Sequence, residues 1–325
     1  MPRCGVLITG FGGPDCLDAV GPFMCNLMGR EPSEELVTRI CSRYELIGGA
    51  SPLVGIAREL AASVSAEVAQ RGHELPVEVG MRYWDPFIAD GVARLTAAGV
   101  EHIIFVTLSP FETQVTHGEY REAIAEALLS HAGCDAVEAP LLSELASYSA
   151  LHAEAAREAL SALGPDAPVI FSAHSLPMAD VLADDAYVRG LERVADMVAT
   201  ELGLASGAAD TTALDGITGY GSAAGARPWI VAYQSKGARG GEWLGPDADD
   251  AIVAAASEGR SGVLVVPIGF ATDHMETLYD LDIVAAGVAA EGGIEFARSR
   301  VPNATPALAR DIADAVLAMC ESADQ

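Results

Sequence analysis

Basic residues are scarce in this chain of 325 residues: 19 lysines and arginines stand against 46 acids, a formal charge of −27. That balance opposes adsorption to nucleic acid or to an anionic membrane surface, since both depend on basic patches. Cysteines number six, at positions 4, 16, 25, 41, 134 and 320. None forms a Cys-x-x-Cys pair, and the spacings suit neither a zinc ribbon nor a disulfide framework. Reduced thiols in a cytosol are the expectation. Apolar runs stop at strand length, near 103–108 and 262–271, well short of the ~20 residues that span a bilayer. The opening run breaks at Gly10 and reads as a first strand rather than a signal peptide. No Gly-x-Ser-x-Gly elbow is present, which argues against a serine hydrolase. Gly10-Phe11-Gly12-Gly13-Pro14 lacks the third glycine of a dinucleotide fingerprint, because Asp15 stands there and Pro14 offers no N–H to a phosphate. Neither a nucleotide nor a nucleic acid is expected as a ligand, and the chain reads as a soluble cytoplasmic protein with no integral membrane segment.

What is present is half hydrophobic by composition, enough for a large core, and its length suggests two domains. Short apolar runs at 5–9, 77–81, 103–108, 169–173, 229–233 and 262–267 alternate with Ala- and Leu-rich amphipathic stretches. The helix candidates are 33–44, 56–71, 87–98, 120–132, 146–163, 187–201, 247–258 and 306–320. This is the pattern of parallel strands joined by helices, an α/β fold. The strands fall into two groups of three. That predicts one lobe over 1–150 and a second over 151–325, with the last helix packing back on the first lobe. No internal sequence repeat is visible. Residues 205–227, rich in Gly, Ala, Ser and Thr, read as a surface loop.

Two segments carry ionisable groups where a buried strand gives way to a loop, the place where ligands gather in open parallel sheets. In Val169-Ile170-Phe171-Ser172-Ala173-His174-Ser175-Leu176-Pro177 the ring of His174 is either a satisfied core histidine or a base or ligand facing a cleft. In the second, an apolar strand runs into Asp273-His274-Met275-Glu276-Thr277-Leu278-Tyr279-Asp280. Glu276 and Asp280 are spaced to share one helical face, which is costly unless a proton or cation lies between them. A solvated charged face is the bland alternative. Arg82-Tyr83-Trp84 either closes a core or walls a flat ligand. The stretch from Tyr233 to Asp247 reads as strand, glycine-rich turn and helix start, with Asp247 suiting the helix dipole.

Taken together, Phe11-Gly12-Gly13-Pro14, Ile47-Gly48-Gly49-Ala50-Ser51-Pro52-Leu53, Met81 to Phe87, Ser172 to Pro177, Tyr233-Gln234-Ser235, Trp243-Leu244-Gly245-Pro246 and Pro267 to Asp280 stand in an order that resembles the ferrochelatase family. Pro302-Asn303-Ala304-Thr305-Pro306 adds to the likeness. Within that family the chain is similar to bacterial enzymes without a C-terminal extension, including the coproporphyrin-using kind. The resemblance implies two Rossmann-like lobes, each a four-stranded parallel sheet flanked by helices, with a porphyrin in the cleft between them. It implies His174 and Glu276 as catalytic, His174, Glu276 and Asp280 as metal-contacting, and Phe11, Arg30, Ser51, Tyr120 and Trp243 as substrate-binding. Phe11 has no oxygen to ligate and is expected as a porphyrin wall. Val284 stands where a third acid of the family's ladder would fall, so the relay is expected to be shorter, with Asp282 or His274 substituting. The implied activity is insertion of ferrous iron, as a substrate, into coproporphyrin III on the way to haem. Protoporphyrin IX, a cobalt or nickel chelatase of a related tetrapyrrole, and a non-catalytic tetrapyrrole carrier are the alternatives. With only Cys320 near the end, no [2Fe-2S] cluster is expected. The remaining expectations are a monomer and at most a transient contact with a downstream haem-processing enzyme.

Overall fold

The computed structural model describes residues 3–181, 186–204, 227–237 and 240–323; of the loop expected at 205–227, all but Arg227 lies outside them. The chain divides into two compact units. One comprises Met1–Ser147, Ala271–Met275 and Pro302–Gln325; the other comprises Tyr148–Phe270 and Glu276–Val301. The second half is therefore not continuous with the second unit: its last helix and a five-residue piece beside Glu276 belong to the first.

In the first unit β1 (Cys4–Gly10), β2 (Val77–Met81), β3 (His102–Thr107) and β4 (Asp135–Glu138) form a parallel sheet in the order β2-β1-β3-β4. All seven residues of β1 are buried, as befits a central strand covered on both faces. Helices α4 (Ile88–Ala97) and α5 (Glu119–Leu128) cover the face carrying Leu7, Ile103 and Phe105, placing Ile88, Val92, Leu95, Tyr120 and Ile124 against it. Helix α3 (Leu53–Gln70) lies along α11 (Pro306–Ala323), and the two pack against β1–β3. Arg71, just past α3, bonds Asp314 of α11 at 2.9 Å. A smaller apolar cluster joins α1 (Val20–Met28) to α2 (Glu34–Leu46), with Phe23, Tyr44 and Tyr83 buried in it.

The second unit repeats the topology. Strands β5 (Val169–His174), β6 (Trp229–Gln234), β7 (Gly262–Val266) and β8 (Glu295–Arg298) run parallel in the order β6-β5-β7-β8. Helix α8 (Ala248–Ser257) and α10 (Ala286–Glu291) bury Ala251, Ile252, Ala255 and Ala289 against Ile170, Ile230, Val263 and Val265. Helix α6 (Ala146–Leu160) carries the wholly buried Tyr148 and His152, and α7 (Ala186–Leu202) packs on β6. Two strands, β4 and β8, were not visible in the sequence pattern. Each is a four-residue strand at a sheet edge whose residues are exposed or half-buried, so neither carries a buried apolar run. No described helix is long and apolar enough to cross a membrane.

In both sheets the chain reverses its direction of strand addition at the central pair, β1/β3 and β5/β7. Ligand crevices form outside the C-terminal ends of strands at such a switch point. His174 ends β5, and Glu276 follows β7 by a short loop.

Candidate active site

His174 and Glu276 meet in the second unit: the histidine Nε2 lies 3.3 Å from Glu276 Oε1, with both side chains about one-third exposed (33% and 35%). The other ring nitrogen, Nδ1, faces the Ser175 carbonyl and donates to it. That bond fixes the ring's rotation and leaves Nε2 to face the carboxylate. The backbone at this point is held as well. Tyr187 of α7 donates its hydroxyl to the His174 carbonyl at 2.7 Å, and Ser175 N–H donates to the Gln234 carbonyl at 2.8 Å, extending the β5–β6 ladder one residue past the histidine.

Burial alone would drive the imidazolium to lose its proton, but the Glu276 charge, its hydrogen bond, the Ser175 carbonyl and the Asp280 charge outweigh that and raise His174 to about 9. In the absence of metal the pair is therefore an imidazolium–carboxylate pair at neutral pH. A cation arriving at Nε2 must displace that proton, so metal uptake and proton release are coupled.

The acidic run that follows β7 does not gather round one point. Helix α9 (Met275–Leu278) is a single turn, after which the backbone widens into a π-helical stretch at Asp280–Ala285, where Val284 N–H reaches back five residues to the Tyr279 carbonyl. The continuous α-helical face expected from Glu276 to Asp280 is thus interrupted. Asp280 accepts from the Ser235 hydroxyl, Asp282 makes a two-pronged bond with Arg298 at 2.5 and 2.8 Å, and Asp273 bonds the Asn303 amide at 2.8 Å. Among the described residues no group of three or more His, Cys, Asp or Glu side chains is gathered to hold a metal. Asp280 acts on His174 through its field, and Asp282, expected as a relay substitute, is committed to Arg298.

Trp243 is placed beside the histidine loop, because Pro177 and Trp243 form an antiparallel bridge flanked by Met178 N–H to Glu242 O and Leu244 N–H to Leu176 O, both 2.8 Å. The remaining expected substrate contacts lie in the first unit. Phe11 follows β1, half-buried, with its ring centroid 4.7 Å from Tyr83 and 6.2 Å from Phe23. Tyr83 donates to Glu119, and the Arg82 guanidinium stands 5.0 Å from its ring, so Arg82-Tyr83-Trp84 closes this aromatic cluster. Ser51 is buried against Gly13, where an added Cβ would come within 2.5 Å of its side chain. Arg30 is exposed just past the α1 C-cap Gly29. Tyr120, expected as a substrate contact, is 1% exposed within the α4–α5 core. Its ring has a packing role, because so large an apolar body on the inner face of α5 is taken up by the sheet.

Sequence reasoning passed over Gly269, whose place is set by backbone proximity. An added Cβ would lie 2.5 Å from Ala173 Cβ and 2.6 Å from Ala173 Cα. A Gly269→Ala protein therefore pushes the end of β5 outward, one residue before His174. The expected cost is about 1–3 kcal/mol of stability, read by denaturant unfolding. Unchanged stability would show that β5 moves freely.

A ferrochelatase family model matches residues 3–319. The chain is 32% identical over 324 residues to the coproporphyrin III ferrochelatase of Mycolicibacterium smegmatis, covering 96% of this chain and 88% of that one. It is likewise 32% identical over 314 residues to the ferrochelatase of Herpetosiphon aurantiacus, covering 94% and 95%. Among solved structures, SirB from Bacillus subtilis superposes with a TM-score of 0.56 at 11% identity, over 99% of this chain and 97% of that one, a likeness of fold alone. With the sequence match running through both sheets and through the strand ends that carry His174 and Glu276, the chain belongs to the ferrochelatase family.

Proposed function

We propose that this enzyme inserts ferrous iron into coproporphyrin III, with His174 and Glu276 as its catalytic pair. The observation that carries the reading is the His174–Glu276 contact at the C-terminal ends of β5 and β7. A neutral imidazole and a carboxylate are suitable borderline-to-hard ligands for ferrous iron and are also bases. Insertion exchanges one Fe²⁺ for two pyrrole N–H protons, so the site must admit a dication and dispose of two protons. Glu276 accepts one and His174, once it has lost its resting proton, accepts the other. Asp280, held by Ser235, supplies negative charge that favours both transfers. Trp243, beside the histidine loop, offers flat apolar surface to the macrocycle; by the family resemblance Phe11 is proposed as an apolar substrate contact and Arg30 as a propionate partner. The coproporphyrin assignment is supported by the name of the M. smegmatis relative. A cytoplasmic location is part of the same reading, supported by cysteine spacings that suit no disulfide framework.

The test is anaerobic absorbance with ferrous iron, comparing coproporphyrin III with protoporphyrin IX. Rapid loss of the free-base spectrum on coproporphyrin III, with protoporphyrin IX slower, is the expected result. The reverse order would reassign the substrate, and tight binding of both without metal uptake would make the protein a carrier.

A further inference from the structure

The end of β6 grips both halves of the catalytic pair. Gln234 accepts from Ser175 N–H at 2.8 Å through its backbone carbonyl, directly beyond the register pair His174–Gln234. Its side-chain amide donates to the Glu276 carbonyl at 2.7 Å. The next residue, Ser235, donates its hydroxyl to Asp280 Oδ2. Two consecutive residues thus tie the histidine loop to the first turn carrying Glu276 and to the acid four residues further on.

Ser235 does this in a backbone conformation that its residue type disfavours. Its φ of 61° is left-handed; the only other described non-glycine residue with positive φ is Asn303. A serine there costs free energy that glycine would avoid. Held in that conformation, Ser235 presents its hydroxyl to Asp280, a bond glycine would lack.

We propose that Ser235, backed by Gln234, is a positioning residue that fixes Glu276 against His174 by anchoring Asp280. This rests on the chelatase reading of the same pair. The strained turn aims a hydroxyl donor that holds the segment from Glu276 to Asp280 at the spacing the pair requires.

The test uses the full chain with Ser235→Ala and Ser235→Gly, each alone and combined with Asp280→Ala, which removes the acceptor. Both single variants are expected to lose about 10- to 100-fold in kcat for iron insertion, with the porphyrin KM changed less than about two-fold. Ser235→Gly should melt within about 2 °C of the parent or above it, since it relieves the strained turn. Added to Asp280→Ala, either change should cost much less than it does alone. In iron-free protein at fixed pH, the His174 ring resonances should shift in Ser235→Gly while those of His117, in the other unit, stay in place. Ser235→Gly turning over at the parent rate would overturn the proposal, because backbone shape and not the hydroxyl would then matter. Additive costs with Asp280→Ala, or an unmoved His174 signal, would overturn it too. If the parent itself inserts no iron, the chelatase reading falls, and the His174 resonances alone then decide whether Ser235 positions the ring.

Discussion

A Glu276→Gln protein binds porphyrin and inserts iron about 10²- to 10⁴-fold more slowly than the parent, the range expected when a positioned proton acceptor is removed. Glutamine keeps the volume and can still bond the imidazole, so the fold and the ring's orientation survive. What goes is the negative charge. That charge is the largest influence opposing the effect of burial on His174. Without it the histidine's proton affinity falls below its present value of about 9. The variant therefore separates two roles. If Glu276 served only to keep His174 charged, its loss would speed metal entry; if it takes a pyrrole proton, its loss slows turnover at every pH. In the parent, insertion under limiting iron should rise with pH up to about 9, where His174 gives up its resting proton, and in Glu276→Gln that rise should shift to lower pH. Single-turnover absorbance with a histidine NMR titration measures both. Insertion within a few-fold of the parent would remove Glu276 from the mechanism.

Acid destabilises the protein steeply between about pH 6 and pH 3, and a His152→Leu substitution removes much of that loss. His152 lies on the buried face of α6 at 0% exposure, edge-on to the Tyr148 ring at 4.9 Å. Neither ring nitrogen has a hydrogen-bond partner among the described residues. Burial without a partner opposes the charged form and lowers His152 to about 3 from an ordinary 6.5. The folded state thus holds the neutral ring where the unfolded chain has taken up a proton. The stability His152 permits is fully present above pH 6.5 and is lost as pH falls toward 3. At about 1.4 kcal/mol per unit the loss reaches about 5 kcal/mol, comparable to the whole stability of a marginal domain. His174 slopes the other way. Its raised pKa gives a contribution present below 6.5 and lost as pH rises through about 9. These two histidines together place maximal stability near pH 6 to 7. Denaturant unfolding across pH 4 to 8 tests the acid limb. A His152→Leu protein with the parent's acid slope would show that the ring is solvated or partnered in the folded state.

Six strands could be read from the sequence because each is a largely apolar run that is mostly or wholly buried, including β2 and β6 at the sheet edges. Val169 to Ala173, apolar but for Ser172, and Gly262 to Val266 are short runs buried on both faces, of the length a parallel strand takes. His174 and the acids after β7 were legible for the same reason, since a polar group at the end of such a strand stands out. The edge strands β4 and β8 left no such mark, because a half-exposed four-residue strand obeys no strict pattern. The sequence likewise showed four acids and a histidine in one short run, from Asp273 to Asp282, but could not apportion them. Arg298, Asn303, Ser235 and His174 claim four of them, each supplied by a different part of the chain.

Local pattern by itself determined that the chain is α/β, where its central strands lie, and which residue types stand at their ends. Only the tertiary structure decided that Nε2 of His174 meets Glu276 while Asp280 goes to Ser235, that Gly269 must lack a side chain, and that α11 packs with α3. The physical reason is that helix and strand preferences act within a few residues, through backbone sterics and the burial of one face. A 3 Å contact between strand ends depends instead on the register of non-consecutive strands and on the loops that leave them, set by packing over the whole sheet.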